Sequence, residues 1–350
     1  MSKLIGRGST GFVYKPALKC ENSKYINYDG KVSKVFLYKQ DAEQELNEID
    51  AMLEKYKSIK KYMLGRPILC KPQKDDNYYE ALMNERKIRD GKDNWQLVIK
   101  DGGSDLLSVR KMLSSYSPLE ISLFLTSILN IIEGVAFFQK NDIIHQDIKL
   151  DNIVYNKITS QMKFIDFGLA TSRTDFIQAA TENFDKTRDD AVPYYPKENT
   201  CMKQQSFIKD IKCSGYKITY LNYNKFITAV ADSFDSFCLA RTLYELLCKT
   251  PIDLINREFA NEVEKILADY RYNIELRKSD VISLFNDYKE LLEKYDYYVS
   301  PKKSIVSRFS SIFRNTRKTR IEPTNRNTRK NNTHKNADRG GKRKRKKRIQ

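Results

Sequence analysis

The sequence predicts an α+β chain with two lobes, a small strand-rich one and a larger helical one, followed by a basic tail without regular structure. Three observations predict it. Short alternating apolar runs separated by Gly, Asn and Asp fill much of the first third. Long runs with helical spacing dominate from Ser117 onward. Beyond Ser300 the apolar pattern stops, and Ser, Arg, Asn and Thr take over without periodicity, the signature of a disordered segment. The implied division is 1–99, 100–300 and 301–350.

Taken in order, Leu4–Ile5, Phe12–Val13–Tyr14, and Val32, Val35 and Phe36 around Lys34 read as antiparallel strands. Between Asp41 and Tyr56, the residues Leu46, Ile49, Met52 and Leu53 share one helical face, the clearest helix of the first third. A lysine-rich passage to Asn94 shows no usable period. Trp95 then begins a strand that runs into a glycine turn, and the lobes join near Lys100–Gly103. Ile121 to Phe138 is apolar enough to suggest a membrane span, but Asn130 and Glu133 interrupt it and its large residues recur at helical spacing, so a buried core helix is expected. Ile153–Tyr155 and Met162–Ile165 flank the turn NKITS as a hairpin. Asp235 to Cys248 is a second long helix.

The formal charge of +18 is concentrated in the tail, where 19 basic and 2 acidic residues give +17 and leave +1 for residues 1–300. The body is therefore nearly neutral, and the tail carries the charge that would otherwise suggest a nucleic-acid binder. Six cysteines without a CxxC pair, and only two histidines, exclude a zinc site by spacing and make reduced thiols in an intracellular setting the expectation. The N-terminal MSKLIGRGST lacks the apolar core of a signal peptide.

Gly6-x-Gly8-x-x-Gly11-x-Val13 between two strand signals suits a tight turn whose amides approach phosphate oxygens, and equally a plain glycine hairpin. Lys34 shares a strand face with Val32 and Phe36 and needs an anion there. Glu45 is the natural partner, with Glu48 as its rival on the same helix. The hairpin would return Asp166 to the neighbourhood of Asn152, two oxygen donors of the kind Mg²⁺ prefers when phosphate and water complete its shell. Asp147 could accept a hydroxyl proton, and Lys149 could neutralise a phosphoryl group in transfer.

These motifs, in this order, resemble those of eukaryotic-type protein kinases over about residues 1 to 300. GRGSTGFVY is similar to the glycine loop, Lys34 to the strand lysine, Glu45 to its helix partner, DGGSDL to the hinge exit, HQDIKLDN to the catalytic loop and Asp166-Phe167-Gly168 to the magnesium motif. Tyr195–Pro196–Lys197–Glu198 stands where the family has APE, and Asp235 where a helix aspartate anchors the catalytic loop. The resemblance implies a bilobal protein-kinase-like fold with ATP and Mg²⁺ as cofactors and a protein substrate. It also implies roles: Lys34 on the ATP phosphates fixed by Glu45, Asn152 and Asp166 on the metal, and Asp147 orienting the acceptor hydroxyl. Val13 and Val32 would pack on the base, backbone at Ile99–Asp101 would bind adenine, and Asp105 is a candidate for the ribose. Lys149 favours the Ser/Thr class.

Departures mark a divergent member, similar to kinases of large DNA viruses. Gln146 replaces the arginine that usually precedes the catalytic aspartate, so activity independent of activation-loop phosphorylation is expected, with Lys186 and Arg188 as substitutes for that charge. Ala191 falls where a threonine is common, Ala240 where glycine is common. Lys57–Asn94 reads as an insertion, and Asn199–Ala231 is longer than the family pattern. Seven consecutive basic residues, 342–348, suit an import receptor, nucleic acid or virion core, or a solubilising role, and without an anchor they give no reason to expect a membrane. If all seven met phosphates, log affinity would fall against log salt with a slope of roughly −6. The competing functions are a Ser/Thr protein kinase, a pseudokinase scaffold or nucleic-acid-binding protein, and a small-molecule kinase. Substrate, regulator and oligomeric state are not encoded in any motif.

Overall fold

The computed structural model describes residues 1–8, 11–21, 25–83, 93–182, 194–249 and 256–300. Five antiparallel strands form the first sheet: β1 (Lys3–Arg7), β2 (Gly11–Lys15), β3 (Lys31–Phe36), β4 (Ile68–Cys70) and β5 (Trp95–Lys100), in the order β1-β2-β3-β5-β4. Lys34 stands in register between Val13 of β2 and Leu97 of β5, and Val32 is opposite Ile99. Helix α1 (Lys39–Lys55) packs Leu46 into a small cluster with Phe36, Ala42 and Leu97, while Ile49, Met52 and Leu53 pack on the large core of the helical part. One amphipathic helix thus joins two cores, which fixes the carboxylates it carries.

The lysine-rich passage is not blank. It contains a short 3-10 turn at Lys57–Lys61, β4, and helix α2 (Asp76–Ala81), capped by the Asp75 carboxylate. Tyr78 and Leu82 fill a cluster with Tyr14, Leu18 and Val35 on one side of the sheet. Tyr62 and Met63 instead enter the large core, and the Tyr62 carbonyl accepts from the Phe164 amide at 2.8 Å.

Past β5 the chain turns at Gly103, whose φ of +91° is left-handed and whose missing Cβ would lie 2.0 Å from the Tyr155 carbonyl oxygen. Only glycine fits there. Strand β6 (Ser104–Asp105) then pairs with β8 (Ile153–Asn156), which pairs with β9 (Gln161–Phe164). Helices α3 (Leu106–Met112) and α4 (Pro118–Lys140) follow. The second begins with a Ser117/Glu120 capping box and Pro118 at its first turn. Long and apolar enough to cross a membrane, α4 buries Ile121, Phe124, Leu125, Ile128, Ile132 and Val135 in the large core.

Strand β7 (Ile143–Ile144) pairs with β10 (Thr171–Ser172), and α5 (Arg173–Thr181) follows. The stretch noted as long holds α6 (Gln204–Lys209) and α7 (Ser214–Tyr220) ahead of the 25-residue α8 (Tyr223–Leu247). α9 (Arg257–Arg271) and α10 (Val281–Lys294) close the described body. Residues 1–300 form one compact unit; the tail lies outside the described residues.

The cysteine expectation is corrected. Cys20 is joined to Cys70 and Cys201 to Cys213, with Cα separations of 5.7 and 5.9 Å, leaving Cys238 and Cys248 as thiols. Partners 50 and 12 residues apart leave no spacing signal, because it is the fold that brings their Cα atoms within bridging reach.

Candidate active site

The Lys34 ammonium forms an ion pair with Glu45 Oε2. Glu48, one turn on, accepts from the Gln44 amide at 3.0 Å, so the choice left open by the sequence falls on Glu45. A methyl group added at Gly168 would sit 3.3 Å from Asp166 Oδ1 and 3.6 Å from Glu48 Oε2, so these two carboxylates flank the glycine of Asp166-Phe167-Gly168. Burial pushes the Glu45 carboxyl above its ordinary value, Lys34 pulls it down, and the charges of Asp166 and Glu48 push it up again. The Glu45 carboxylate is therefore paired with one ammonium and lies in the field of two further carboxylates, a balance that a cation or a cation-bound phosphate would shift.

The loop from His145 to Asn152 is held from beneath by α8. Asp235 accepts from the His145 amide at 2.7 Å and the Gln146 amide at 3.1 Å. Burial raises the Asp235 carboxyl to about 6, against the pull of these two donors. Gln146, at φ +64°, sends its side-chain amide 2.6 Å to the Leu169 carbonyl, a neutral tie between this loop and the segment after Gly168. His145 is enclosed by Phe138, Phe164 and Phe167, with the Phe167 ring centroid 4.7 Å away. Its Nδ1 accepts from the Asp147 amide at 3.3 Å.

Burial depresses His145 to about 4. As pH falls from about 6.5 toward 4 the unfolded chain gains a proton at this residue that the folded chain refuses, so this group's contribution to stability is lost across that window and no further below it. Asp235, raised to about 6, works in the opposite sense. His145→Asn keeps an acceptor near Nδ1 and removes the titration. We expect the difference in unfolding free energy between wild type and variant to change with pH between about 6.5 and 4 and to be flat above it, as followed by denaturant titration.

Asp147 is the most heavily contacted carboxylate of the site. Lys149 Nζ reaches its two oxygens at 3.0 and 2.9 Å, Asn152 Nδ2 donates to Oδ2 at 2.6 Å, and the Tyr194 hydroxyl donates to Oδ1 at 2.6 Å. Burial alone would raise the Asp147 carboxyl, but the donors from Tyr194, Lys149 and Asn152 outweigh it and hold the group below its ordinary value. Asn152 also donates to the Asp147 carbonyl at 3.0 Å, so its amide hydrogens are committed and its oxygen remains for a cation. The Ile165 amide bonds the Asn152 carbonyl at 2.9 Å, which brings the strand end bearing Asp166 beside Asn152. Among the described residues no group of three or more Asp, Glu, His or Cys side chains is placed to hold a metal ion. Asn152 and Asp166 are a pair, which fits a Mg²⁺ ion completed by phosphate oxygens and water.

The glycine turn closes with Gly8 N–H on the Gly11 carbonyl at 2.8 Å; Ser9 and Thr10 lie outside the described residues. A Cβ at Gly11 would meet the Val35 carbonyl at 2.7 Å, and the nearest neighbour of a Cβ at Gly6 is the Val13 side chain. Asp105 caps α3, with both carboxylate oxygens taken by Ser108, at 2.7 Å from its amide and 2.8 Å from its hydroxyl. That contact, not one with another site residue, is what the fold gives it.

Two contributors had no sequence signal. Tyr194 reaches Asp147 from 47 positions away, and Arg277 pairs with Glu198 at 2.5 Å from 79 positions away, both side chains being almost fully buried. Lys186, Arg188 and Ala191 lie outside the described residues.

With this geometry in place, sequence comparisons agree on a class. A model of the protein kinase domain matches residues 73–191, which take in Asp105, Asp147, Lys149, Asn152 and Asp166. The serine/threonine-protein kinase STE11 of Saccharomyces cerevisiae is 43% identical over 63 residues, 18% of this chain, and the match spans 9% of the yeast protein's length. The chain is thus similar to eukaryotic-type protein kinases. The matched region begins after Lys34 and Glu45, whose pairing rests on the fold alone.

Proposed function

We propose that the protein transfers the γ-phosphoryl group of ATP to serine or threonine hydroxyls of a protein substrate, within a bilobal kinase fold whose basic tail tethers it to nucleic acid or an import receptor. ATP with Mg²⁺ supplies the phosphoryl group and the charge neutralisation. The observation that carries the reading is one run of neighbours through the site: Lys34 paired with Glu45, Glu45 in the field of Asp166, Asp166 next to Ile165 whose amide bonds the Asn152 carbonyl, and the Asn152 amide on Asp147. In this reading Lys34 binds the phosphates, Asn152 and Asp166 hold the metal, and Asp147 orients the acceptor hydroxyl. Lys149, bridging both Asp147 oxygens, neutralises the group in transfer and supports the Ser/Thr assignment. The test is transfer of labelled phosphate from ATP, with Mg²⁺, to a generic basic protein by the wild type and not by Asp147→Asn; an inert wild type overturns the proposal.

One observation favours a non-transferring scaffold. Both Asp147 oxygens are engaged, and the Tyr194 hydroxyl sits where an acceptor hydroxyl would have to bind. Tyr194→Phe removes one hydrogen bond to a charged group and leaves Oδ1 with Lys149 alone, opening the place of an acceptor hydroxyl, so transfer is expected to rise, by up to about tenfold in kcat/KM. A fall in kcat would instead make Tyr194 the residue that positions Asp147.

A further inference from the structure

We infer that a cavity of about 280 Å³ on the helical part of the fold binds a phosphate monoester carried on a protein chain. Its wall gathers Arg241 of α8, Arg271 at the end of α9, Arg277 from the loop before α10, and Lys197 around a single carboxylate, Glu198. Glu198 is consumed by Arg277. Arg241 gives its Nε to Glu245 at 3.1 Å, which leaves its two terminal nitrogens unpartnered among the described residues. Arg271 lies over the Tyr244 ring at 3.6 Å, its nearest carboxylate is Glu264 at 4.0 Å, and its Nε is buried without a hydrogen-bond partner. Lys197 makes no ion pair among the described residues, the one carboxylate of the wall, Glu198, being paired with Arg277. Even with Glu198, Glu245 and Glu264 each set against an arginine, one cation and several donors are left over.

A buried N–H without an acceptor is destabilising, a penalty that an oxyanion seated in the cavity would remove. Guanidinium forks match the edges of a tetrahedral phosphate, and the planes of two of them are set by stacking, Arg271 on Tyr244 and Arg277 on Phe237 at 4.6 Å. The position in the chain indicates a protein-borne group. Lys197 is three residues beyond Tyr194, whose hydroxyl is on Asp147, and three residues of chain span at most roughly 10 Å. A substrate lying across Asp147 would reach the cavity with a side chain a few positions from the acceptor, so the site would select substrates already phosphorylated nearby. This explanation of its location rests on the kinase reading; the binding itself does not.

The test titrates full-length, nucleotide-free protein into labelled degenerate peptides carrying one phosphoserine, and into their unphosphorylated twins. Wild type is expected to prefer the phosphorylated set by about tenfold or more, with inorganic phosphate competing. Arg241→Gln/Arg271→Gln, with the tail intact, should lose the preference while keeping its melting temperature and ATP binding. Equal affinity for the twins overturns the inference. So does a preference that survives in the variant, since the tail would then be its source, or binding of inorganic phosphate without preference for the phosphopeptides. Should the double variant fail to fold, Lys197→Gln, at an exposed position, carries the same readout with an expected loss of about threefold. No phosphoryl transfer is measured, so an inactive enzyme leaves a positive result standing, and failed binding leaves the kinase reading untouched.

Discussion

Asp147→Asn is expected to lower phosphoryl transfer by about 10²–10⁴-fold while leaving ATP affinity within a factor of a few. The size follows from what the residue does. Held below its ordinary pKa by Tyr194, Lys149 and Asn152, the carboxylate is fully ionised at neutral pH and a weak base. In the proposed transfer its contribution would be to aim the acceptor oxygen and to take the proton late, and asparagine can do neither once an NH₂ group replaces one acceptor oxygen. That NH₂ would also face a donor from Lys149, Asn152 or Tyr194, so a modest loss of stability is expected. Nucleotide affinity should survive because Lys34, Glu45 and Asp166 are set by β3, α1 and the end of the hairpin rather than by Asp147. The check is single-turnover transfer alongside nucleotide titration and thermal unfolding. A variant that folds, binds ATP and transfers at near the wild-type rate would remove Asp147 from the mechanism.

The parts of this site that were legible in the sequence are those in which chemistry and local periodicity coincide. Lys34 on an alternating strand, the hairpin that returns Asp166 to Asn152, and Asp235 on a long helix needed only short-range pattern to be placed. Glu45 and Glu48 could not be separated, because residues three apart on a helix face the same way within one turn. The decision came from how α1 is clamped by Leu46 on one core and by Ile49, Met52 and Leu53 on the other. β4 was missed because three residues, Ile68–Cys70, are too few to show a period. The disulfides and Tyr194 were missed for another reason: each depends on a tertiary approach that no spacing encodes.

The Arg277–Glu198 pair belongs to that tertiary class and predicts the largest effect on stability. Their side chains are 1% and 2% exposed, so neither charge has water as an alternative partner. Glu198→Ala would leave the Arg277 guanidinium buried with only the Tyr272 carbonyl and the Ser233 hydroxyl as acceptors, at 3.1 and 3.3 Å. Removing one member of such a pair costs about 3–5 kcal/mol, and those two remaining acceptors put the expected loss near the lower end. Replacing both residues by methionine should recover most of it, because the desolvation of two charges disappears together with their attraction. A double-mutant cycle from denaturant midpoints measures the coupling. A coupling near zero would mean that the arginine is satisfied without Glu198, and that the segment from Pro196 to Cys201 is held by its packing and by the Cys201–Cys213 bond instead. A large coupling would make this pair the clamp that keeps Tyr194, four residues before Glu198, against Asp147.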